Sequence, residues 1–309
     1  MSYVTGTDTV HYMDPPPHDY SKDYLTFEAL ESGTFTLTIP ANVNSTYMTS
    51  VSYSTDDGET WTTTIVDNTA QTITTPTINA GNKVLWKGVG KKMAASASQT
   101  SNFSSTGNFN VSGNIMSLLY DYFQGNNEFD SNAVAIFHSL FKETKLIKAN
   151  SLILPATTLT MYCYFQMFSG CRSLITAPEL PATTLANSCY YSMFSGCSSL
   201  TTAPSILPAT TLADYCYTAM FVACSSLTTA PILPATTLVN GCYNGMFSYC
   251  SQLNYIKAMF TTTPSTSYTG DWVNGVAASG TFVKNSAAQW DVTGTYGVPS
   301  GWTVQTASE

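Results

Sequence analysis

The chain has 309 residues, one large domain or two ordinary ones, with 11 Lys+Arg against 19 Asp+Glu and a net charge of −8. Charged residues make up only 10%, against about 25% in a typical soluble domain, so no basic groove for tracking phosphates is expected. The histidines are His11, His18 and His138 alone, too few for most His-based catalysis or His-rich metal sites, while 13% aromatic residues argue for a folded chain.

Residues 1–22 read as an extended tail. Pro15, Pro16 and Pro17 favour polyproline geometry, and the segment has neither the basic n-region nor the apolar h-region of a signal peptide. No stretch approaches the roughly 18 apolar residues of a membrane span, so membrane insertion is not expected. The chain is therefore expected to be either a mature fragment or a protein that reaches the outside without the secretion pathway, as a virion component released by lysis would.

Residues 23–113 read as an all-β, sandwich-like domain. Phe35, Leu37 and Ile39 alternate with threonines, which puts them on one face of a strand. Further strands are expected at Thr49–Ser54, Thr60–Val66, Thr72–Thr77 and Lys83–Gly88, separated by turn signals. Ser54-Thr55-Asp56-Asp57-Gly58-Glu59-Thr60-Trp61 resembles an Asp box, S-x-D-x-G-x-T-W, the hairpin turn of sialidase-like propellers. A propeller needs several copies and here there is one. The expectation is a structural turn, with a glycosidase remnant as the sharper alternative.

Residues 114–153 look like a capping repeat. Ile136–Ala149 echoes the units that follow, with Thr144 where those units carry a cysteine, and it is more highly charged, as an end coil should be.

Residues 154–260 are repetitive. Leu-Pro-Ala-Thr-Thr-Leu starts at 154, 180, 207 and 233, in steps of 26, 27 and 26. The cysteines follow the same step as the pairs 163/171, 189/197, 216/224 and 242/250. Such a period is the mark of a solenoid, in which each unit buries its apolar face only by stacking on the next. Counted from the first cysteine, Cys 0, Tyr +1, Met +4, Phe +5, Cys +8 and Leu +11 never change. At about 100° per residue these positions, up to +8, cover a sector of roughly 140°, which predicts the buried face of a short helix. Asn187, Asp214 and Asn240 would serve as its caps. Leu-Thr-Thr-Ala-Pro or a close relative then predicts a short strand, ended by proline. Residues 261–309, with Trp272, Trp290 and Trp302, are expected to cap the far end.

The variable positions should face outward. Phe165, Gln166, Tyr191, Ser192, Thr218, Asn244 and Tyr249 are therefore the candidate ligand-binding residues, suited to neutral polar ligands such as glycans. The C-x7-C spacing and the lack of nearby histidine favour buried reduced thiols over zinc or disulfides. Between 151 and 252 the only charged residues are Arg172, Glu179 and Asp214, which leaves a cysteine nucleophile without a base and a glycosidase without paired carboxylates. No catalytic residue, metal ligand or cofactor is expected.

The "MFSGCSSL" phrase and the 26-residue step resemble the BspA-like leucine-rich-repeat family of gut Bacteroidales surface proteins and their phages; here Met replaces the usual Ala before Phe. The resemblance covers about 130–260. It implies a short α/β leucine-rich-repeat solenoid, which with the strands read at 23–113 gives an expected mixed fold, an all-β sandwich-like domain followed by the solenoid with capped ends. With no signal peptide, a proline-containing tail, a β-domain that could anchor and a neutral solenoid, the expected role is a non-enzymatic fibre, decoration or host-adhesion component of a phage exterior. The expected partners are virion or surface proteins at the N-terminal region and host surface or glycans at the solenoid, with no nucleic acid. So little charge also favours a homo-oligomer. The alternative is a bacterial cell-surface adhesin, and a remoter one a glycan-active enzyme.

Overall fold

The computed structural model describes residues 23–41, 47–96 and 98–307; the expected extended tail, 1–22, lies outside them. Ten strands form the first part: β1 (Leu25–Ala29), β2 (Phe35–Ile39), β3 (Met48–Ser54), β4 (Thr62–Ile65), β5 (Gln71–Thr74), β6 (Lys83–Gly90), β7 (Ala94–Ser96), β8 (Gln99–Thr100), β9 (Asn102–Ser105) and β10 (Phe109–Asn114). Later come β11 (Leu146–Ile153), β12 (Tyr255–Ala258), β13 (Thr281–Lys284) and β14 (Thr303–Thr306). The single α-helix among the described residues, α1 (Thr266–Thr269), is one turn long.

The β2 alternation holds: Phe35, Leu37 and Ile39 are buried while Thr38 is exposed. Among the described residues the chain is β-rich, with several sheets and no barrel. One sheet runs β11-β10-β1-β6-β3-β4 and another β5-β2-β9. Their apolar faces meet in an aromatic cluster, in which Phe27 of β1 lies 5.3 Å from Phe35 and 4.8 Å from Phe103, and Trp86 of β6 lies 4.9 Å from Phe103. Such offset and edge-on pairs are favoured beyond their burial.

No break in pairing falls at residue 113. β10 pairs in parallel with β11, inside the expected cap segment, and from β11 single parallel bridges step onward from Lys148 to Thr176 to Thr202. Beyond them Thr229 bridges Tyr255 of β12, and β12, β13 and β14 form a parallel sheet. The expected Leu-Thr-Thr-Ala-Pro strands are thus reduced to one-residue bridges, because the following proline has no N–H to extend the ladder. The buried apolar side chains form one cluster from Leu25 to Trp302.

The expected short helices are absent, and the α/β description of the repeats is corrected to a ribbon of turns. In the first unit Cys163, Phe165, Met167, Ser169 and Cys171 each donate their N–H to the carbonyl three residues back. The alternate residues Tyr162, Tyr164, Gln166, Phe168 and Gly170 donate to Asn187, Cys189, Tyr191, Met193 and Ser195 of the next unit, at 2.7–3.3 Å. Every N–H along the ribbon is paired, half within a unit and half between units. The backbone turns left-handed at every fourth residue: Tyr162 (φ 58°), Gln166 (φ 53°) and Gly170 (φ 74°), then Ser188, Ser192 and Gly196. A residue with a Cβ held there costs roughly 1 kcal/mol, which an inter-unit hydrogen bond offsets.

This geometry has a period of four, with two residues in and two out. It places 0, +1, +4, +5 and +8 in the core, the same positions that the helical reading grouped. The proposed caps have no helix to cap; Asn187, Asp214 and Asn240 instead accept through their backbone carbonyls from Tyr162, Ser188 and Tyr215 of the preceding unit.

Buried side chains stack column by column. Phe141, Phe168, Phe194, Phe221 and Phe247 are spaced 5.4, 5.4, 5.5 and 5.7 Å, their planes within 10° of parallel. Phe137, Tyr164, Tyr190, Tyr217 and Tyr243 make a second column at 5.6–6.0 Å. The segment 135–143 stacks on the first unit as the units stack on one another. At the far end the indole N–H groups of Trp272, Trp290 and Trp302 donate to the carbonyls of Gly297, Phe260 and Ala277, so large apolar area is buried with its polar atom satisfied.

Candidate binding surface

The outward rows follow from the period of four. Position +2 gives His138, Phe165, Tyr191, Thr218 and Asn244 in successive coils. Phe165 stacks on His138 at 4.7 Å and on Tyr191 at 4.8 Å, with planes 11° and 7° apart. The two aromatic candidates are thus brought together, but they cover each other's faces and offer a ligand mainly their edges. Thr218 is buried and donates to the Gly241 carbonyl at 2.6 Å. Asn244 accepts from the Gly270 N–H at 2.7 Å.

At +3, Gln166 accepts from Lys142 Nζ at 3.3 Å and Ser192 is buried. Tyr249 is 62% exposed and packs beside Gly275, with no contact that joins it to Tyr191. The seven candidates therefore fall in three rows, +2, +3 and +7, with Ser192 and Thr218 buried and with Thr218 and Asn244 committed to inter-coil bonds.

His138 is buried, with its Nδ1 3.0 Å from Ser139 Oγ. Burial first, and the positive Lys142 second, lower its pKa to about 4, so the imidazole in this stack is neutral at neutral pH.

The eight cysteines are free and buried. Those at +8 donate S–H across the stack: Cys171, Cys197, Cys224 and Cys250 to the carbonyls of Phe141, Phe168, Phe194 and Phe221, at 2.9–3.1 Å. Thr144, in the matching place of the cap, donates to Phe141. Burial raises these thiols, that of Cys171 to about 11 and those of Cys189 and Cys250 to about 12, far from a reactive thiolate. Among the described residues no three His, Cys, Asp or Glu side chains group to hold a metal ion, and no helix is long and apolar enough to cross a membrane.

The Asp-box octapeptide is the hairpin between β3 and β4. Asp56 Oδ1 accepts from the Thr60 N–H at 2.9 Å and from Ser54 Oγ at 2.7 Å, and Oδ2 accepts from the Thr60 hydroxyl. Asp57 and Gly58 take positive φ, and the Trp61 indole closes on the Gly58 carbonyl. The Thr60 and Ser54 hydroxyls lower Asp56 to about 2, so its charge holds a turn.

A cavity of about 400 Å³ between the segment 128–131 and the first two units was not foreseen. Glu128 and Ser131 fall in the segment read only as a cap, and no repeat comparison reaches them. Compared with known proteins, the chain matches no family model, no curated protein and no solved structure.

Proposed function

We propose that the chain is a non-enzymatic structural and binding component on the outside of a phage particle, a leucine-rich-repeat solenoid of the BspA-like kind carried on a β-sandwich-like base. The observation that carries this reading is the division of labour within each coil. The unchanging Cys, Tyr, Met and Phe side chains are all buried, while the variable positions, apart from the buried Ser192, Thr218 and Ser248, reach a nearly uncharged surface. A surface free to vary over a fixed interior suits recognition. Asp56, the carboxylate of the hydrolase-like motif, is committed to its own turn, which favours binding over glycoside chemistry. The N-terminal region would contact other virion proteins and the solenoid host surface or glycans, and the near-neutral exterior favours self-association.

The second reading is a bacterial cell-surface adhesin, because the repeat phrase resembles surface proteins as much as phage ones. Antibody against the purified chain, imaged with gold on particles and on uninfected cells, separates the two. Label on particles with saturable attachment of the protein to host cells is expected. Label on envelopes of uninfected cells would make it the adhesin, and steady glycoside turnover lost in Asp56→Ala would overturn both.

A further inference from the structure

We propose that the cavity at the start of the stack is a binding site for the end of a neutral glycan. This rests on the binding reading above and moves the contact from the outward rows to a single place. The walls are fixed by backbone pairing: Glu128 bridges Thr158, Thr158 bridges Thr184, and the Ala135 N–H donates to the Met161 carbonyl at 2.9 Å. The site is therefore formed before any ligand arrives.

Its polar groups are unspent. The side-chain oxygens of the exposed Glu128, Ser131 and Thr158 find no hydrogen-bond partner among the described residues, whereas Thr160 Oγ1 is sealed behind the cavity wall. The outward rows differ, since Gln166, Thr218 and Asn244 already spend their polar atoms within the protein.

The lining sets the chemistry. No lysine or arginine lines the cavity, and the nearby Lys91 is closed on Asp130 at 2.7 Å, so an anion has no counter-charge. Glu128 is exposed and accepts only, which suits adjacent sugar hydroxyls donating to its two oxygens. The hydroxyls of Ser131 and Thr158 both donate and accept. The 40% exposed Met161, backed by the buried Phe129 and Leu159, supplies an apolar side for the C–H face of a ring. About 400 Å³ is at the small end of ligand sites, room for one or two sugar units.

The test uses the full chain labelled with ¹³C at the methionine methyls, with the Met161 signal assigned by Met161→Leu. Neutral mono- and disaccharides (N-acetylglucosamine, its β1,4 dimer, lactose, maltose) are titrated, with sialic acid and ethanolamine as charged probes. A saturable shift at Met161 with a neutral sugar is expected, weakened about tenfold or more in Glu128→Gln and in Thr158→Val. The ¹³C spectrum of each variant shows whether the stack is intact. Silence at Met161 for every neutral sugar, an equal response in Glu128→Gln, or a response to ethanolamine or sialic acid alone overturns the site. Host-cell attachment by the same preparation that persists while Met161 stays silent sinks this site and leaves the binding reading standing; loss of both sinks both.

Discussion

The two halves of the molecule solve the same problem in opposite ways. In the N-terminal region antiparallel strands are placed by hairpins and by alternation, and rings of different strands meet at varied angles, as Phe27 does with Phe35 and Phe103 at 60° and 82°. In the repeats each ring meets the same ring one unit on, within 10° of parallel along the phenylalanine column. The first arrangement is specified contact by contact. The second is specified once and copied, so each position answers to two neighbours of its own kind. A defect in the first stays among its own contacts, whereas one in the second is felt by the coils on both sides.

The largest expected effect tests that contrast. Phe194→Ala removes a ring stacked on both sides, by Phe168 and Phe221, and should destabilise by about 4 kcal/mol, measured by denaturant unfolding. Hydrogen exchange should then quicken in the coils before and after it, while Phe103→Ala should loosen mainly the N-terminal sheets. Equal spreading in both variants would erase the distinction.

Next comes acid. The lowered pKa of His138, about 4, against about 6.5 unfolded, means that the unfolded chain binds the proton more readily between these values. Its contribution is therefore full above about pH 6.5 and is lost as pH falls toward 4, on the order of 2 kcal/mol after allowance for solvent screening. His138→Phe should flatten the stability profile in that window, and an unchanged slope would deny the stacked, neutral imidazole.

A smaller effect has a diagnostic sign. Ala223 sits at φ 58°. Ala223→Gly should raise stability by about 0.5–1 kcal/mol, because glycine relieves the left-handed strain; in a helix the same change would lower it by a similar amount.

Chemistry gives a check on the buried column. Unreduced protein should give almost no reaction with a thiol reagent while native and close to eight thiols once denatured. A count near zero after denaturation would mean cross-linked coils.

The Asp56→Ala variant tests the other half. The depressed acid, about 2, supports the hairpin above about pH 4 and loses that support as pH falls through 2. The variant should loosen β3 and β4 by hydrogen exchange and leave the phenylalanine column untouched.

Much of this was legible in the residues. Phe35, Leu37 and Ile39 announced a strand by alternation, and eight cysteines at one step announced stacked units with buried sulfur. The helix was misread because 0, +1, +4, +5 and +8 fit two periods. At 3.6 residues per turn they fill about 140°, while at four they occupy only two adjacent sides. The tighter fit, with Gly170 and Gly196 at +7 where φ is positive, was the available signal. The outward candidates were located by their variability, but no sequence pattern says that Phe165 and Tyr191 spend their faces on each other or that Thr218 bonds the next coil. Glu128 and Thr158 meet across different elements and carry no shared motif, so their cavity had no trace in the sequence.

The step of 27 among steps of 26 has a genetic consequence. Ser205 is present in only one of the three linkers, and it is held at the exposed rim by Glu179, which accepts from its N–H and hydroxyl, while the rings above and below keep their spacing. A reading frame that gains or loses a whole unit by unequal crossing-over would leave every ring facing its like. The molecule's reach can thus be edited in increments of about 5 Å, like links added to a chain, with both end pieces reused unchanged.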